Sequence, residues 1–532
     1  MRRRVLGAVC IALLLLGACS GSGADDDGPA GPSTAGPDGP SEQVTVDGDE
    51  VTAPADALPA LGRLRVARTG GRALVVDDEG REVLLRGANL SSLGDYHQAD
   101  PAFAPTRPPT DADWDQMAAN GFNVVRLIVS WSALEPQRGR IDPHYVARIE
   151  QAVAAAAERR IYTVIDMHQD AWGRFVASPS DGQCDQGTEP AIGWDGAPLW
   201  ATLTDGADTC RPLGSREGAP AVKAAFTSFY ENRDGIGDAF AATWGRLAAA
   251  FADDPAVAGF DLFNEPNLVF DAPASEWLYT DLMGSVLSRV RGGETRAGGF
   301  PHIVFIEPIV GFPLPGTMPS NGFTTDDQIA FAPHIYAEVI GPEILTVEQT
   351  FDVSAQTAQD RGWPLWVGEY GVFSTDDEAL DVLRRIAAAQ DEHLAGGAQW
   401  QWRQWCGDPH SIGVPGRRPT EDQIQLNDVA CPADVDAGPN VPLLRVAGRA
   451  YPRAAPGRLT ELRSDPESGE LRLTGALDDD LARRSEMVLW VPGEDEPEVT
   501  GEGIDEITLT RTTGGWYATL GVVDSPYEVE VR

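Results

Sequence analysis

This 532-residue sequence lacks any apolar run long enough to cross a membrane as a helix, which takes roughly 20 residues. The apolar stretch near the amino terminus, residues 5–16, is shorter than that, and three arginines precede it. Positive residues followed by a short apolar run are typical of an export signal. Residues 1–19 are therefore predicted to be a signal peptide, and the protein is predicted to be exported.

The signal ends in Leu16-Gly17-Ala18-Cys19, which resembles the lipobox of bacterial lipoproteins. By that resemblance Cys19 becomes the lipidated first residue of the mature chain; a plain secretory signal cut nearby is the alternative. Residues 20–57 are rich in Gly, Ser, Pro and Asp and poor in large apolar residues, as in disordered linkers. They are predicted to form a tether that holds the folded part away from a membrane surface.

Positive charge is also scarce, because 41 Lys and Arg stand against 81 Asp and Glu and give a net charge of -40. Such a chain repels phosphate polyanions, so we expect no nucleic acid among its partners. The acidity is attributed instead to the solubility of a surface-exposed protein.

Cysteine is sparse, and no two cysteines have the Cys-x-x-Cys spacing of common zinc sites, so no metal is predicted. Apart from the two in the signal, four remain: Cys184, Cys210, Cys406 and Cys431. Four cysteines allow three pairings. Pairing nearest neighbours, Cys184 with Cys210 and Cys406 with Cys431, would close one long loop each, under the oxidising conditions that an exported protein meets.

What the sequence does contain is a regular alternation of apolar runs with amphipathic stretches of helical periodicity. The apolar runs are residues 83–90, 123–131, 162–169, 257–266, 302–308, 329–336, 364–371 and 398–405. Eight such units within residues 58–444 predict a (β/α)8 TIM barrel, and the near-continuous apolar character suits parallel strands buried on both faces. Residues 170–233 form a long insertion after the third strand, on the side where the strands end.

After residue 444 the helical periodicity stops. Short alternating segments follow, such as residues 487–491 and 527–531, and Gly and Asp separate them. Residues 445–532 are therefore predicted to form a small C-terminal antiparallel β-sandwich.

The reacting groups of such barrels lie at the carboxyl ends of the strands, so polar and aromatic residues there are the candidates for chemistry. They are Asn89, Arg126, His168, Asp170, Asn264, Glu265, His334, Tyr336, Glu369 and Trp402. Glu265 and Glu369 end strands four and seven, which face each other across the mouth. Two carboxyls so placed can lie about 5 Å apart, at which one attacks the anomeric carbon and the other protonates the leaving oxygen. The pattern predicts a retaining glycosidase.

The two glutamates need opposite protonation states at one pH. Glu369, the predicted nucleophile, must be ionised, which Arg126 and Tyr336 would favour by charge and hydrogen bonding. Glu265, the predicted acid/base, must start protonated, which partial burial and a nearby negative charge would favour.

Other strand-end residues are expected to hold the sugar. Asn264 is placed to donate a hydrogen bond to the sugar 2-hydroxyl, an interaction that strengthens in the transition state. Trp402 is expected to be the floor on which the sugar ring stacks. His168 and His334 are expected to position groups rather than to transfer protons.

Two segments resemble the acid/base and nucleophile motifs of glycoside hydrolase family 5: Phe-Asp-Leu-Phe-Asn-Glu-Pro at 260–266 and Trp-Val-Gly-Glu-Tyr-Gly at 366–371. The ordered set Arg126, His168, Asn264, Glu265, His334, Tyr336, Glu369 and Trp402 is similar to that family's catalytic constellation. The resemblance covers about residues 80–410. It implies a (β/α)8 barrel that hydrolyses β-glycosides with carboxylates alone, without a cofactor.

A finer resemblance is to the endoglycoceramidases, which cut the bond between a glycan and ceramide. It rests on the segments 166–170, 198–206, 235–238, 406–410 and 450–453, and on the trailing β-domain. It implies that Asp170 and Trp200 contact the sugar and that the substrate is a glycolipid. Such enzymes usually carry a lysine soon after the first-strand Arg-Gly-x-Asn; here Leu-Ser-Ser-Leu-Gly-Asp follows at 90–95. A galactosyl or steryl lipid therefore stays open as the substrate.

A lipid substrate needs an apolar surface beside Glu265, for which residues 268–270 and 309–314 are the candidates. The alternative is that these loops pack on the insertion.

Two further hypotheses about the function stay open. One is hydrolysis of soluble β-glucan or β-mannan, which would use an open cleft of aromatic residues; the other is a sugar-binding surface lipoprotein without turnover.

Overall fold

The computed structural model describes two folded parts, a barrel and a β-sandwich. The described residues are 44–46, 51–98, 102–179, 182–267, 272–340, 344–406, 408–412, 425–430, 435–478, 481 and 486–532. The predicted signal peptide, Cys19, Cys431 and the apolar segment 268–270 lie outside them.

The strands run in chain order from the amino-terminal segment through the barrel to the sandwich. They are β1 (Val44–Val46), β2 (Arg65–Thr69), β3 (Arg72–Val76), β4 (Arg81–Glu82), β5 (Arg86–Leu93), β6 (Val124–Ser130), β7 (Tyr162–His168), β8 (Thr188–Pro190), β9 (Cys210–Pro212), β10 (Val257–Asp261), β11 (Ile303–Ile306), β12 (Ile329–Phe331), β13 (His334–Ile335), β14 (Trp366–Tyr370), β15 (Gly396–Gln399), β16 (Asn427–Ala430), β17 (Val435–Pro439), β18 (Tyr451–Pro456), β19 (Arg458–Ser464), β20 (Leu471–Ala476), β21 (Glu486–Pro492), β22 (Val499–Glu502), β23 (Ile504–Thr512), β24 (Gly515–Val522) and β25 (Tyr527–Val531).

The helices lie mainly between the barrel strands. They are α1 (Pro54–Ala57), α2 (Asp111–Ala119), α3 (Trp131–Leu134), α4 (Pro143–Glu158), α5 (Pro220–Tyr230), α6 (Ile236–Ala250), α7 (Ala272–Ala297), α8 (Val347–Arg361), α9 (Asp377–Glu392), α10 (Pro409–Ile412) and α11 (Val441–Ala447). Short 3-10 helices add Arg174–Val176, Leu199–Ala201, Arg216–Gly218 and Arg233–Gly235. Among the described residues, no helix combines the length and the apolar character that a membrane span requires.

The predicted (β/α)8 barrel is confirmed. Strands β5, β6, β7, β10, β11 and β12 are successive parallel neighbours, and β13, β14 and β15 lead back to β5. Phe331 in β12 also bridges Leu365 beside β14, which closes the circle. The sixth predicted run is divided into β12 and β13 around Pro333, which has no N–H to donate to the strand ladder.

Burial explains why the barrel strands read as continuous apolar runs. Strands β6 and β7 are buried along their whole length, inside against the barrel interior and outside against helices. Helix α2 begins after Thr110, which forms a capping box with Asp113.

The insertion after β7 is held together by a disulfide. Strands β8 and β9 form an antiparallel pair, and Cys184 is bonded to Cys210 with a Cα–Cα distance of 5.7 Å. This part of the predicted pairing is confirmed. Cys406 is also disulfide-bonded, and its predicted partner Cys431 lies outside the described residues.

The predicted C-terminal sandwich is present, but its first sheet recruits strands from the amino-terminal side of the barrel. One sheet has the order β1-β23-β24-β21-β18-β4-β3-β2, and the other the order β19-β20-β25-β22. Residues 65–82 therefore belong to the sandwich sheet rather than to the barrel. The predicted tether also differs, because β1 pairs with β23 and residues 54–57 form α1.

The sandwich contacts the barrel at the turn between α2 and β6. Tyr451 Oη and Arg453 Nη1 donate hydrogen bonds of 2.8 and 2.9 Å to the carbonyl oxygen of Gly121. Gly121 has φ of +73°, and a Cβ there would lie 2.3 Å from the buried Trp490 ring. The close approach of the two domains therefore requires glycine at this position.

We expect Gly121→Ala to destabilise the protein more than Gly139→Ala does. Gly139 has φ of +79°, and a Cβ added there would meet no atom within 4 Å, so its substitution reports the backbone cost alone, about 1 kcal/mol. Gly121→Ala should lower the free energy of unfolding by about 2 kcal/mol more, because the added methyl overpacks the Trp490 contact. Urea unfolding of both variants measures the difference; equal losses would contradict a tight domain contact.

Candidate active site

The site is organised around one buried guanidinium, that of Arg126 on β6. Its three nitrogens contact oxygens from five strands and the segments that follow them. The contacts are Asp261 at 2.9 Å, Asn89 at 3.0 Å, Glu369 at 2.8 Å, Asn264 at 2.9 Å, Glu307 at 2.8 Å and Asp166 at 3.0 Å. Burial alone would lower the pKa of Arg126, but Asp166, Asp261, Glu307 and Glu369 raise it well above its usual range.

Glu369 lies on β14 and is held by two donors. Arg126 Nη1 contacts Oε1 at 2.8 Å, and Tyr336 Oη donates to Oε2 at 3.0 Å, as the sequence predicted. The residue is 4% exposed. Burial raises the pKa of Glu369, and the positive charges of His334 and Arg126 oppose the rise.

Glu265 follows β10 in a backbone conformation unusual for a residue with a side chain, with φ of +39°. Its N–H donates to Glu307 Oε2 at 2.8 Å, and Gln169 Nε2 donates to its carbonyl oxygen at 3.1 Å. Of its carboxylate oxygens, Oε1 lies 3.0 Å from His334 Nδ1 and Oε2 lies 2.7 Å from Arg216 Nη2. The backbone and both carboxylate oxygens are thus fixed by neighbours.

The two glutamates converge. A carboxylate oxygen of Glu265, one of Glu369 and a ring nitrogen of His334 all lie within 4.8 Å of one another. Retaining glycosidases hold their carboxyls about 5 Å apart, whereas inverting enzymes leave roughly 6.5–9.5 Å for a water molecule. The geometry therefore matches direct attack on the anomeric carbon.

The charge of Glu265 in the resting site differs from the predicted one. Burial alone would raise the pKa of Glu265, but His334 and Arg216 lower it to about 2. Burial would likewise lower the pKa of His334, but Glu307 and Glu369 raise it well above its usual range. The expectation that Glu265 rests protonated is thus wrong for this state, because two cations face its carboxylate.

Polar residues from β7 and the segment after it form the wall beside the glutamates. His168 Nδ1 lies 2.7 Å from Asp166, and its ring stacks with Trp400 at 5.5 Å between centroids. Asp170 contacts Arg216 and lies 2.8 Å from His410 Nε2. The predicted residues His168 and Asp170 are thus brought together, with Trp400 covering one side.

One of the two aromatic predictions is wrong. Trp402 is wholly buried, and its indole nitrogen donates to Asp113 at 3.0 Å, so the prediction that its face receives a sugar is wrong. Strand β15 ends at Gln399, so the tryptophan at its end is Trp400. Trp200 donates from its indole nitrogen to the Glu135 carbonyl oxygen and packs edge-on against Trp131, and its contact with the sugar stays a prediction.

Sequence reasoning missed Glu307, Arg216, Trp400 and His410. Glu307 follows β11 and contacts Arg126, His334 and the Glu265 N–H, so the rule that selected Glu265 would have found it. Arg216 lies inside the insertion, where no periodic pattern marks individual positions.

Within the part of the chain that the structure describes, three groups of donor atoms lie close enough to share a metal ion, and each already faces a cation. Asp166, Asp261 and Glu307 surround Arg126. Glu265 and Glu369 face His334, whose pKa is raised. Asp170, with His168 and His410, faces Arg216.

A closed barrel that carries two such carboxyls at the ends of its fourth and seventh strands defines the class of retaining glycoside hydrolases. The family model described as Cellulase (glycosyl hydrolase family 5) matches residues 76–405. The chain belongs to glycosyl hydrolase family 5.

Relatives within that class point to a narrower group. The chain is 39% identical to an endogalactoceramidase of known crystal structure, over 88% of this chain and 99% of that one, with a TM-score of 0.81. It is 26% identical to endo-glycoceramidase II from Rhodococcus sp., over 86% and 98%, with a TM-score of 0.65. Endoglycoceramidase I from Rhodococcus hoagii (strain 103S) is 27% identical over 387 residues, 65% of this chain and 69% of that protein.

Substitution by phenylalanine should reduce activity at Trp400 and stability at Trp402. Trp400→Phe removes ring surface beside His168 and should lower kcat/KM about tenfold, which equals about 1.4 kcal/mol. Trp402→Phe leaves the buried Asp113 oxygen without its donor and should lower the free energy of unfolding by about 1–3 kcal/mol. Steady-state kinetics and urea unfolding of both variants separate the effects; a loss of kcat/KM confined to Trp402→Phe would restore Trp402 as the sugar platform.

Proposed function

We propose that this protein hydrolyses the β-glycosidic bond between a glycan and a ceramide-type lipid, and that galactose is the sugar at the bond. The observation that carries the proposal is the pair of converging carboxyls, Glu265 and Glu369, with an apolar loop beside the first. Val310 N–H donates to the Pro266 carbonyl oxygen at 2.8 Å, which holds that loop next to Glu265.

The chemistry is a double displacement. Glu369 attacks the anomeric carbon while Glu265 gives its proton to the glycosidic oxygen, which leaves with the lipid. A water molecule then gives a proton to Glu265 and attacks the same carbon, which releases Glu369 and the glycan with its configuration retained. Arg126 and Tyr336 hold the carboxylate of Glu369 for attack.

We expect the two sides of the bond to contact different surfaces. Toward the sugar, Asn264 is oriented by Arg126, and its amide nitrogen contacts the Gln169 carbonyl oxygen at 3.1 Å. For the leaving group, the candidates are large apolar side chains that are exposed on segments following the catalytic ends of strands. They are Phe175, Leu213, Trp277, Val310, Leu314, Ile340 and Ile344. An apolar rim of this kind suits a lipid.

The choice of galactose rests on the segment after β5. Soon after Arg-Gly-x-Asn, where endoglycoceramidases usually carry a lysine, residues 90–95 of this chain contain none. Asp95 in that segment pairs with Arg174 and accepts a hydrogen bond from Ser132 at 2.8 Å. The greater identity to the endogalactoceramidase than to endo-glycoceramidase II supports the same choice.

We further propose that the protein is exported and anchored at Cys19. The lipobox-like signal and the Gly, Ser, Pro and Asp composition of the following residues support this proposal. A tethered enzyme with an apolar rim at its catalytic end could reach glycolipids without leaving the membrane surface.

A panel of substrates tests the reaction. Galactose-linked ceramide glycans should yield intact glycan and free ceramide, glucose-linked ones should react at least about tenfold more slowly, and carboxymethylcellulose should not react. Chromatography of glycan and lipid products measures this, with Glu369→Gln as the matched inactive control. Release of soluble oligosaccharides from carboxymethylcellulose alone would favour a glucanase, and binding without release by the wild type would favour a non-catalytic sugar-binding protein.

A second experiment tests the apolar rim in a chain that carries Cys19→Ser and therefore no lipid. Trp277→Ser combined with Leu314→Ser should lower the rate on glycolipid in vesicles about tenfold, because these side chains are 67% and 55% exposed and lose apolar contact. Hydrolysis of a water-soluble aryl glycoside should not change. Val523→Ser, at a 60% exposed position in the sandwich, is the control. Equal losses on both substrates would argue against a role in lipid contact.

A further inference from the structure

Arg216 connects the insertion to the acid/base residue. It lies in the 3-10 helix Arg216–Gly218, six residues after the disulfide-bonded Cys210. Its Nη2 is 2.7 Å from Glu265 Oε2, and its other nitrogens contact the carboxylates of Asp170 and Glu217. The guanidinium also lies over the Trp194 ring, 5.2 Å from the centroid, while 26% of the side chain remains exposed.

This contact conflicts with the acid step. A general acid must bring an oxygen within about 3 Å of the atom that it protonates. Glu265 Oε1 faces His334 Nδ1 at 3.0 Å, and His334 is itself held in β13 with Nε2 3.3 Å from Glu307. The remaining oxygen, Oε2, is covered by Arg216. The glycosidic oxygen can approach Oε2 once Arg216 moves aside.

Arg216 can leave Glu265 without losing its other partners. Asp170 and Glu217 would still neutralise its charge, and Trp194 would still cover one face of the guanidinium. A partly exposed arginine with three carboxylate partners therefore loses one contact rather than becoming an unpaired buried cation.

We propose that Arg216 is a positioning residue with two states. It pairs with Glu265 while the aglycone site is empty, and the arriving leaving group displaces it onto Asp170 and Glu217. The proposal rests on the hydrolytic function proposed above. Through Arg216, the insertion links binding of the leaving group at the aglycone site to the protonation state of Glu265.

The two positions of Arg216 favour different protonation states of Glu265, as the two steps of the reaction require. The ionisable groups that face it are His334 from β13, Tyr336 after β13, Arg216 from the insertion, Asp170 after β7, Glu307 after β11 and Glu369 from β14. The barrel groups stay in place when Arg216 moves. Removing a cation from a carboxylate raises its pKa, which favours the protonated form needed for the first step. After the aglycone leaves, the return of Arg216 favours the anion that accepts a proton from water.

Two aryl glycosides separate the two steps. The phenolate of a phenyl glycoside leaves only with a proton from the acid. The alkaline limb of its pH profile, where kcat/KM falls as pH rises, therefore reports the loss of the proton from Glu265. A dinitrophenyl glycoside has a leaving group that needs no proton, so the acid limb of its kcat reports the ionised Glu265 in the second step. Arg216→Gln should move both limbs up by at least about one pH unit, because a facing cation is removed. The phenyl glycoside then gains rate at alkaline pH, and the dinitrophenyl glycoside loses rate at acidic pH.

Two further variants control for charge and for structure. Arg216→Lys keeps the charge and should leave both limbs near those of the wild type. Arg233→Gln, in the same insertion but paired with the exposed Asp205, should change neither limb. An equal loss of rate on both substrates with unmoved limbs, or equal shifts in Arg216→Lys and Arg216→Gln, would overturn the proposal. Since these substrates carry no lipid, failure of the proposed lipid substrate would appear in the glycolipid panel and not here.

Discussion

The site depends on the burial of Arg126 inside the barrel. An isolated charge in that position would be strongly destabilising, so its pairing with carboxylates from several strands is a condition for the fold as well as for the chemistry. The guanidinium reaches Glu369 on β14, Asp261 on β10 and Asp166 on β7, which lie around the barrel wall. The position of the nucleophile is therefore set by the same group that ties the strands together.

Four carboxylates around one guanidinium would leave excess negative charge, and the structure offsets it in two ways. Burial raises the pKa of Asp261 well above its usual range, and Glu307 raises it further. Burial would lower the pKa of His168, but Asp166 and Asp195 raise it well above its usual range, so this ring adds positive charge. His334 does the same beside Glu307. The two histidines at the strand ends thus balance part of the negative charge of the neighbouring carboxylates.

Sequence reasoning succeeded where a residue's role follows from its place on a buried strand. An apolar run that ends in Glu265 or Glu369 fixes both the strand and the end at which the carboxyl lies. It failed for Trp402 because alternate residues share a face, so the sequence does not distinguish positions 400 and 402 until the end of β15 is known. It missed Arg216 because insertion residues are placed by a disulfide and by packing, neither of which leaves a periodic pattern. The charge state of Glu265 was mistaken because His334 and the missed Arg216 both lower its pKa.

The two glutamates have different tasks, and the residues that hold them come from different parts of the fold. Glu369 forms its covalent bond from one ionised state, and its partners Arg126 and Tyr336 both come from the barrel wall. Glu265 must lose and regain a proton in every turnover, and one of its partners comes from the insertion. Its backbone keeps a positive φ because Glu307 and Gln169 hold the peptide groups on either side, so the carboxyl stays in place while its partner moves. Changes in the insertion can therefore alter the acid/base and the aglycone site while the nucleophile stays fixed.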